Sequence, residues 1–263
     1  MSDTILCQMS ETGVVTLSLQ RPEVCNAINE IMVAELTATL AAISQNSSAR
    51  VLILTGSGDF FCAGTDHQWM LRGSKAGPDH NFEDALHIAR LLRTLDRLPI
   101  PTIAHINGPA IGTGIGLISC CDMAVCTPNS WFSIPDTRLG LIPAVFGPYV
   151  INKIGSSAAR RYFLSTEKFN PTTAQRLGLI HECPPSAQEA QNQVDLWVSE
   201  LIKNSPHALT AAKRFITSVE HRPIDDAMLS DTAHRMAHIR THEEAQEGLQ
   251  AYLNQCDPNW LAS

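Results

Sequence analysis

The chain has 263 residues, 44% of them hydrophobic and 17% charged, enough for one large domain with a sizeable core, with or without a helical appendage. A formal net charge of −7 argues against a general nucleic-acid binder, and no apolar run approaches the roughly 18 uncharged residues that a membrane span requires. The eight cysteines include no CxxC pair and residues 1–10 lack the charged and apolar regions of a secretion signal, so a cytoplasmic location is expected.

Residues 13–19 alternate like a half-buried strand, and 21–27 (RPEVCNA) read as a loop. Apolar positions at helical spacing predict a helix over 29–43, with Asn29 as its cap. A second strand is predicted at 51–54 (VLIL), ending in a polar, glycine-containing turn through Gly58. After FFCAGTDHQWM at 60–70, the polar stretch 75–81 contains Gly and Pro and is expected to be a mobile loop. A helix over 82–98 stops at Pro99 and Pro101, and short strands are predicted at 102–106, 123–125 and 131–134. Beyond Gly155 the pattern is helical almost throughout: 156–164, 171–177, 187–202, 206–219 and 225–238. Strands alternating with helices predict an α/β core with parallel pairing. No linker, low-complexity tract or repeat of fixed period is present.

The stretch 101–122, PTIAHINGPAIGTGIGLISCCD, organises the rest. A strand ends at Asn107-Gly108-Pro109, and Gly112, Gly114 and Gly116 alternate ahead of an apolar run. Such glycines let a backbone approach something closely, and the first N–H groups of a helix behind them have no intrahelical acceptor. The pair offers a place for a ligand oxygen that is becoming negative. A tight strand–helix connection with no ligand uses the same residues.

FFCAGTDHQWM, PTIAHINGPAIGTGIGL and SIPDTRLGLIPA, in this order, resemble the signature series of the crotonase superfamily, the enoyl-CoA hydratases and isomerases. The resemblance runs from RPEVCNAIN to EEAQEGLQAYLNQCDPNW. Within it, AGTDHQWM and RLGLIPAVFGPYVINKIGSSAARRYFLSTEKF are similar to bacterial 3-methylglutaconyl-CoA hydratases. The resemblance implies an α/β fold, a crotonase-like ββα spiral core over 1–200 that binds acyl-CoA. It also implies a helical C-terminal region over 201–263 that assembles homotrimers or homohexamers. The implied substrate is an acyl-CoA thioester, with coenzyme A part of the substrate and no separate cofactor or metal.

In that family the thioester oxygen lies between two backbone N–H groups, which by motif position fall at Ala63 and Thr113. Adding water to C3, or removing a proton beside the carbonyl, drives electrons onto that oxygen, where one donor in comparable sites contributes about 3 kcal/mol. The two-carboxylate hydratases have a glutamate at the position of Gly116, absent here, and a second at Asp136. Asp136 is therefore the expected acid–base residue, one methylene shorter than glutamate; its other reading is a structural partner of Arg138. Backbone groups of Cys25, Ala27, Gly64, Thr65 and Asp66 are implied to hold the coenzyme A arm, with Gly112 and Gly116 beside the site. Trp69 and Met70 suit an apolar acyl pocket. Arg72, with His67 as second choice, is the candidate cation for an acyl carboxylate, and the segment from Arg72 to Asn81 a candidate lid.

Other motifs are weaker. His234, His238 and His242 recur every fourth residue, a spacing compatible with metal ligands, but without a partner motif they read as a solvated face. No Gly-x-Ser-x-Gly elbow, dinucleotide fingerprint or phosphate loop is present. The C-terminal segment lacks the basic pair that family members carry before the final Pro-x-aromatic. A lyase hydrating a short or branched enoyl-CoA, in fatty acid metabolism or leucine degradation, is the leading expectation. A double-bond isomerase and a non-catalytic acyl-CoA binder are the alternatives.

Overall fold

The computed structural model describes residues 4–261. A five-stranded sheet carries the order β1-β2-β3-β4-β6, and a two-stranded sheet pairs β5 with β7. Strand β1 (Ile5–Met9) runs antiparallel to β2 (Val14–Leu19), with Ile5 opposite Leu19. Strands β3 (Val51–Gly56), β4 (Thr102–Ile106) and β6 (Met123–Cys126) then add in parallel. The small sheet pairs β5 (Ala110–Ile111) with β7 (Phe132–Ser133).

One turn recurs along the chain: a strand in the large sheet, a short extended piece in a second layer, then a helix. The first turn runs β2, the bridge residue Ile28 and helix α1 (Glu30–Gln45). The second runs β3, the bridge residue Cys62 and helices α2 (His67–Ser74) and α3 (Pro78–Asp96). The third and fourth run β4, β5 and α4 (Thr113–Ser119), then β6, β7 and α5 (Gly147–Ser165). This is the ββα spiral that the resemblance implied. It repeats in structure without repeating in sequence, because each turn meets a different neighbour on either side.

Helix α1 begins where expected: Asn29 Oδ1 accepts the Met32 amide at 2.9 Å. Its buried residues Met32, Val33, Leu36, Leu40 and Ile43 recur at helical spacing, and α1 packs on α3. On the other face of the large sheet, Val51, Ile53, Ile103 and Val125 cluster with Ala190 and Val194 of α7 (Ala187–Ile202). Strand β3, with Val51 to Leu54 all buried, is thus covered on both faces and shows no alternation.

The C-terminal helices are α8 (Pro206–Val219), α9 (Asp226–Arg240) and α10 (Glu243–Asn254), after the short α6 (Pro171–Arg176). Lys213 Nζ of α8 ties them to the core through Asp122 Oδ2 at 2.7 Å and the Ile100 carbonyl at 3.2 Å. Arg50 donates to the carbonyls of Ile202 and Asn204 at 3.0 Å each.

Three expectations are corrected here. Strand β1 was not predicted; its residues ILCQM show no alternation of apolar and polar, positions 6–9 are all exposed, and pairing with β2 forms it. Residues 75–81 are no mobile loop: α2 reaches Ser74, α3 begins at Pro78, and Asn81 Nδ2 donates to the Gly73, Ala76 and Gly77 carbonyls at 2.8, 3.4 and 3.1 Å. Helix α5 starts at Gly147 rather than after Gly155, which sits inside it as a kink with φ 74°. No helix among the described residues is long and apolar enough to cross a membrane.

Candidate active site

The segments that leave the carboxyl ends of β3, β4 and β6 meet at one place. The first, 61–66, is fixed by backbone bonds along its length. The Phe61 amide donates to the Pro109 carbonyl at 3.1 Å and the Ile111 amide to the Cys62 carbonyl at 2.9 Å. The Ile28 amide donates to the Gly64 carbonyl at 2.7 Å, and the Asp66 amide to the Ile28 carbonyl at 2.8 Å. Gly64 is required: its φ is 88°, and a Cβ there would stand 2.9 Å from the Ile111 carbonyl oxygen.

Asp66 anchors the segment through its side chain. Its carboxylate accepts the amides of Gln68 and Trp69 at 2.8 and 3.3 Å, capping α2, and pairs with Arg21 Nη1 at 3.0 Å. Burial works to raise the Asp66 pKa, but the Arg21 hydrogen bond, the two amides and the Arg21 charge together hold it below the usual aspartate range. The same Arg21 nitrogen donates to the Ala27 carbonyl at 2.6 Å.

The donor expected at Ala63 is corrected by this bonding. The Ala63 amide donates to the Cys25 carbonyl at 2.9 Å and has no proton left to offer a ligand. Two residues on, the Thr65 amide has no acceptor among the described residues, and neither does that of Thr113 at the first position of α4. The two threonines are neighbours, their hydroxyls sharing a hydrogen bond at 2.8 Å. Thr113 tolerates its side chain because it stands in helical conformation. Gly112 before it takes φ 50° and ψ −117°, which only glycine adopts readily.

Asp136 opens the short 3-10 turn Asp136–Leu139 and faces the same place: a Cβ on Gly112 would stand 3.9 Å from its Oδ2. Burial pushes its pKa above the usual aspartate value, offset only in part by its own amide. No ion pair joins it to Arg138, which is exposed. An unpaired, half-buried carboxylate with a raised pKa is suited to taking up and releasing a proton.

Gly116 explains the missing first carboxylate. A Cβ there would lie 2.5 Å from Cβ and 3.2 Å from Cγ of Phe146, so the Phe146 ring fills the space that a longer side chain would need. Phe146 is buried and forms part of the wall of a cavity of about 340 Å³. Of the residues singled out from sequence, Thr65, Trp69, Met70, Thr113 and Asp136 line this cavity. Cys25, Ala27, Ala63, Gly64, Asp66, Gly112 and Gly116 do not line it; they build the backbone behind it. His67 is exposed, and Arg72 is turned away, paired with Glu30 at the protein surface. Sequence reasoning missed Asp84, Ile88, Val145 and Phe146, all in the cavity wall. Asp84 and Ile88 lie outside any motif, Val145 and Phe146 fall in a stretch quoted for its resemblance but not singled out, and the packing of α3 and α5 beside α4 brings all four in.

His234 and His238 are exposed on α9, while His242 caps α10 and stacks on His207 at 3.5 Å. No cluster of groups among the described residues could hold a metal ion.

A spiral of ββα turns with two unpaired amides converging beside one carboxylate is the arrangement of an acyl-thioester enzyme. The family model described as Enoyl-CoA hydratase/isomerase matches residues 9–262. A 2,3-dehydroadipyl-CoA hydratase of Escherichia coli is 29% identical over 261 residues, 99% of each chain. A probable enoyl-CoA hydratase of Rhodobacter capsulatus is 31% identical over 260 residues, covering 98% of this chain and 97% of that one. The solved structure of an enoyl-CoA hydratase from Shewanella pealeana superposes with a TM-score of 0.95 at 35% identity, covering 99% of this chain and 97% of that one. The chain belongs to the enoyl-CoA hydratase/isomerase family, and a hydratase-type activity is the function that membership carries.

Proposed function

We propose that the protein adds water across the 2,3 double bond of an uncharged short or branched enoyl-CoA. The convergence of the free Thr65 and Thr113 amides with Asp136 in one cavity carries this reading. The thioester carbonyl accepts from the two amides. Asp136 as carboxylate takes a proton from water while the water oxygen bonds to C3. The electron pair of the double bond moves onto the thioester oxygen, held by the two amides, and protonated Asp136 returns its proton to C2. Preorganised amides act most strongly at the moment charge reaches the oxygen, and removing one such donor costs about 100- to 1,000-fold in comparable sites. Coenzyme A enters as part of the substrate, and these steps use no separate cofactor.

The cavity wall supports an uncharged acyl chain. Among the described residues no Lys, Arg or His lines it, whereas Asp84 does, and an acyl carboxylate buried there would go unpaired beside a like charge. Arg72 serves Glu30 instead. A branched substrate without a distal carboxylate therefore fits better than 3-methylglutaconyl-CoA. A single carboxylate also suits the second reading, an isomerase in which Asp136 moves a proton between C2 and C4.

Absorbance of the conjugated enoyl group on crotonyl-, 3-methylcrotonyl- and 3-methylglutaconyl-CoA tests these readings. Absorbance should fall, with the two uncharged substrates preferred. No change on any substrate would refute hydration, a preference for the charged one would refute the charge argument, and a rise with a 3-enoyl-CoA would favour the isomerase. Trimers or hexamers are also proposed, supported by the exposure of Ile216, Ile224, Leu229, Tyr252 and Leu253 on the C-terminal region. Light scattering showing a monomer at micromolar concentration would refute this.

A further inference from the structure

We infer that Trp69, locked by Asp84, is the end wall that limits the length of acyl chain the site accepts. The inference rests on the acyl-CoA reading of the cavity. A second cavity of about 820 Å³ lies between α1 and α3. Its α1 side is built largely from short residues, Ala34, Thr37, Ala38 and Ala41, with charged or polar Glu30, Arg72, His80, His87 and Arg90 around the rest of its wall. Trp69 and Asp84 are the two residues that line both spaces, so the indole and its partner form the partition between them.

The partition is held from two sides. Trp69 is 6% exposed, and its Nε1 donates to Asp84 Oδ2 at 2.8 Å across the gap from α2 to α3. Its backbone amide donates to Asp66 Oδ1 at 3.3 Å within the capped first turn of α2. Rotating the indole away would leave its N–H buried without an acceptor, so the ring stays. An acyl chain that places its thioester between Thr65 and Thr113 and its C3 near Asp136 thus ends against Trp69. The space before it, about 340 Å³, is near the lower limit of small-molecule sites, which run from about 300 to 1,000 Å³. Without the indole the two cavities join, and the apolar lining contributed by α1 offers a path for a longer alkyl chain.

The test measures kcat/KM for trans-2-enoyl-CoA thioesters of increasing length, from crotonyl to decenoyl, and Kd for saturated butyryl- and decanoyl-CoA. In the wild type the ratio of decenoyl to crotonyl should be low. Trp69→Ala should raise it at least about tenfold, since even one methylene refused by a pocket is worth about 10- to 200-fold. Adding Ala38→Phe should refill the groove and reverse the gain. If Trp69→Ala does not fold, Asp84→Asn keeps the shape, weakens the lock and should raise the ratio several-fold. A wild type that handles decenoyl as well as crotonyl, or a ratio unmoved by the substitutions, overturns the proposal. The Kd values need no turnover, so the wall is still decided if hydration itself fails. If neither saturated thioester binds, the acyl-CoA reading and the wall fall together.

Discussion

Gly116→Ala should have opposite effects on stability with and without Phe146. Gly116 lies inside α4, where alanine is worth about 0.5–1 kcal/mol over glycine in the absence of contacts. Here the new methyl would stand 2.5 Å from the Phe146 Cβ, which is fixed to its backbone and cannot rotate away; Leu92 Cδ2 at 3.7 Å is an ordinary contact. Overpacking of this kind costs about 1–3 kcal/mol, so it wins and Gly116→Ala should be destabilising by about 0–2 kcal/mol. Phe146→Gly, which removes the clashing Cβ as well as the ring, should alone cost at least about 3–5 kcal/mol through the cavity it leaves. In that background the Cβ at 146 is gone and the clash with it, and Gly116→Ala should stabilise by about 0.5–1 kcal/mol. The coupling between the two positions, about 1–3 kcal/mol, is read from urea midpoints of the four proteins. If Gly116→Ala stabilises the wild type as much as the Phe146→Gly variant, Phe146 does not occupy this space and the account of the missing carboxylate is wrong. The functional corollary is that Gly116→Glu should support a second carboxylate only alongside Phe146→Gly.

Asp136→Asn should lower hydratase kcat by about 100- to 10,000-fold while leaving acyl-CoA affinity nearly intact, the range expected for losing an acid–base group. The same change should stabilise the fold at neutral pH, because burial raises the Asp136 pKa and its charged form is therefore disfavoured in the folded state. For the wild type, kcat/KM should rise with pH through a value above the ordinary aspartate pKa, as the carboxylate ionises; a profile flat across the acid range would contradict this. Asp66 has the opposite sign: its depressed pKa contributes stability that is present above the unfolded value and lost as pH falls through the folded one. Arg21→Met should weaken that dependence, the Gln68 and Trp69 amides remaining, and cost about 3–5 kcal/mol, since the side chains of the pair are 16% and 12% exposed. Arg72→Ala should change kcat/KM less than twofold for any enoyl-CoA, because its partner Glu30 lies outside the catalytic cavity; a larger loss on a charged substrate would return Arg72 to the site.

The sequence by itself determined the elements with strong local signals. Asn29 caps α1 and the apolar spacing behind it is helical; Pro206 to Val219 form α8 as their pattern predicts; and the glycine at 112 marks a position where a side chain is strained. The motif order also determined the family and brought Thr113 and Asp136 forward as site residues. Local pattern did not decide which amide of 63–66 stays free. That depends on whether another segment supplies an acceptor, and the Cys25 carbonyl, held by the turn at 21–27, takes the Ala63 proton and leaves that of Thr65. Nor could sequence assign Arg72, whose charge is claimed by Glu30 from a different helix, or place Phe146 against Gly116 across the gap between α5 and α4. Hydrogen bonds between distant segments form between groups that the fold holds within about 3 Å of each other, and only the packed chain sets those distances.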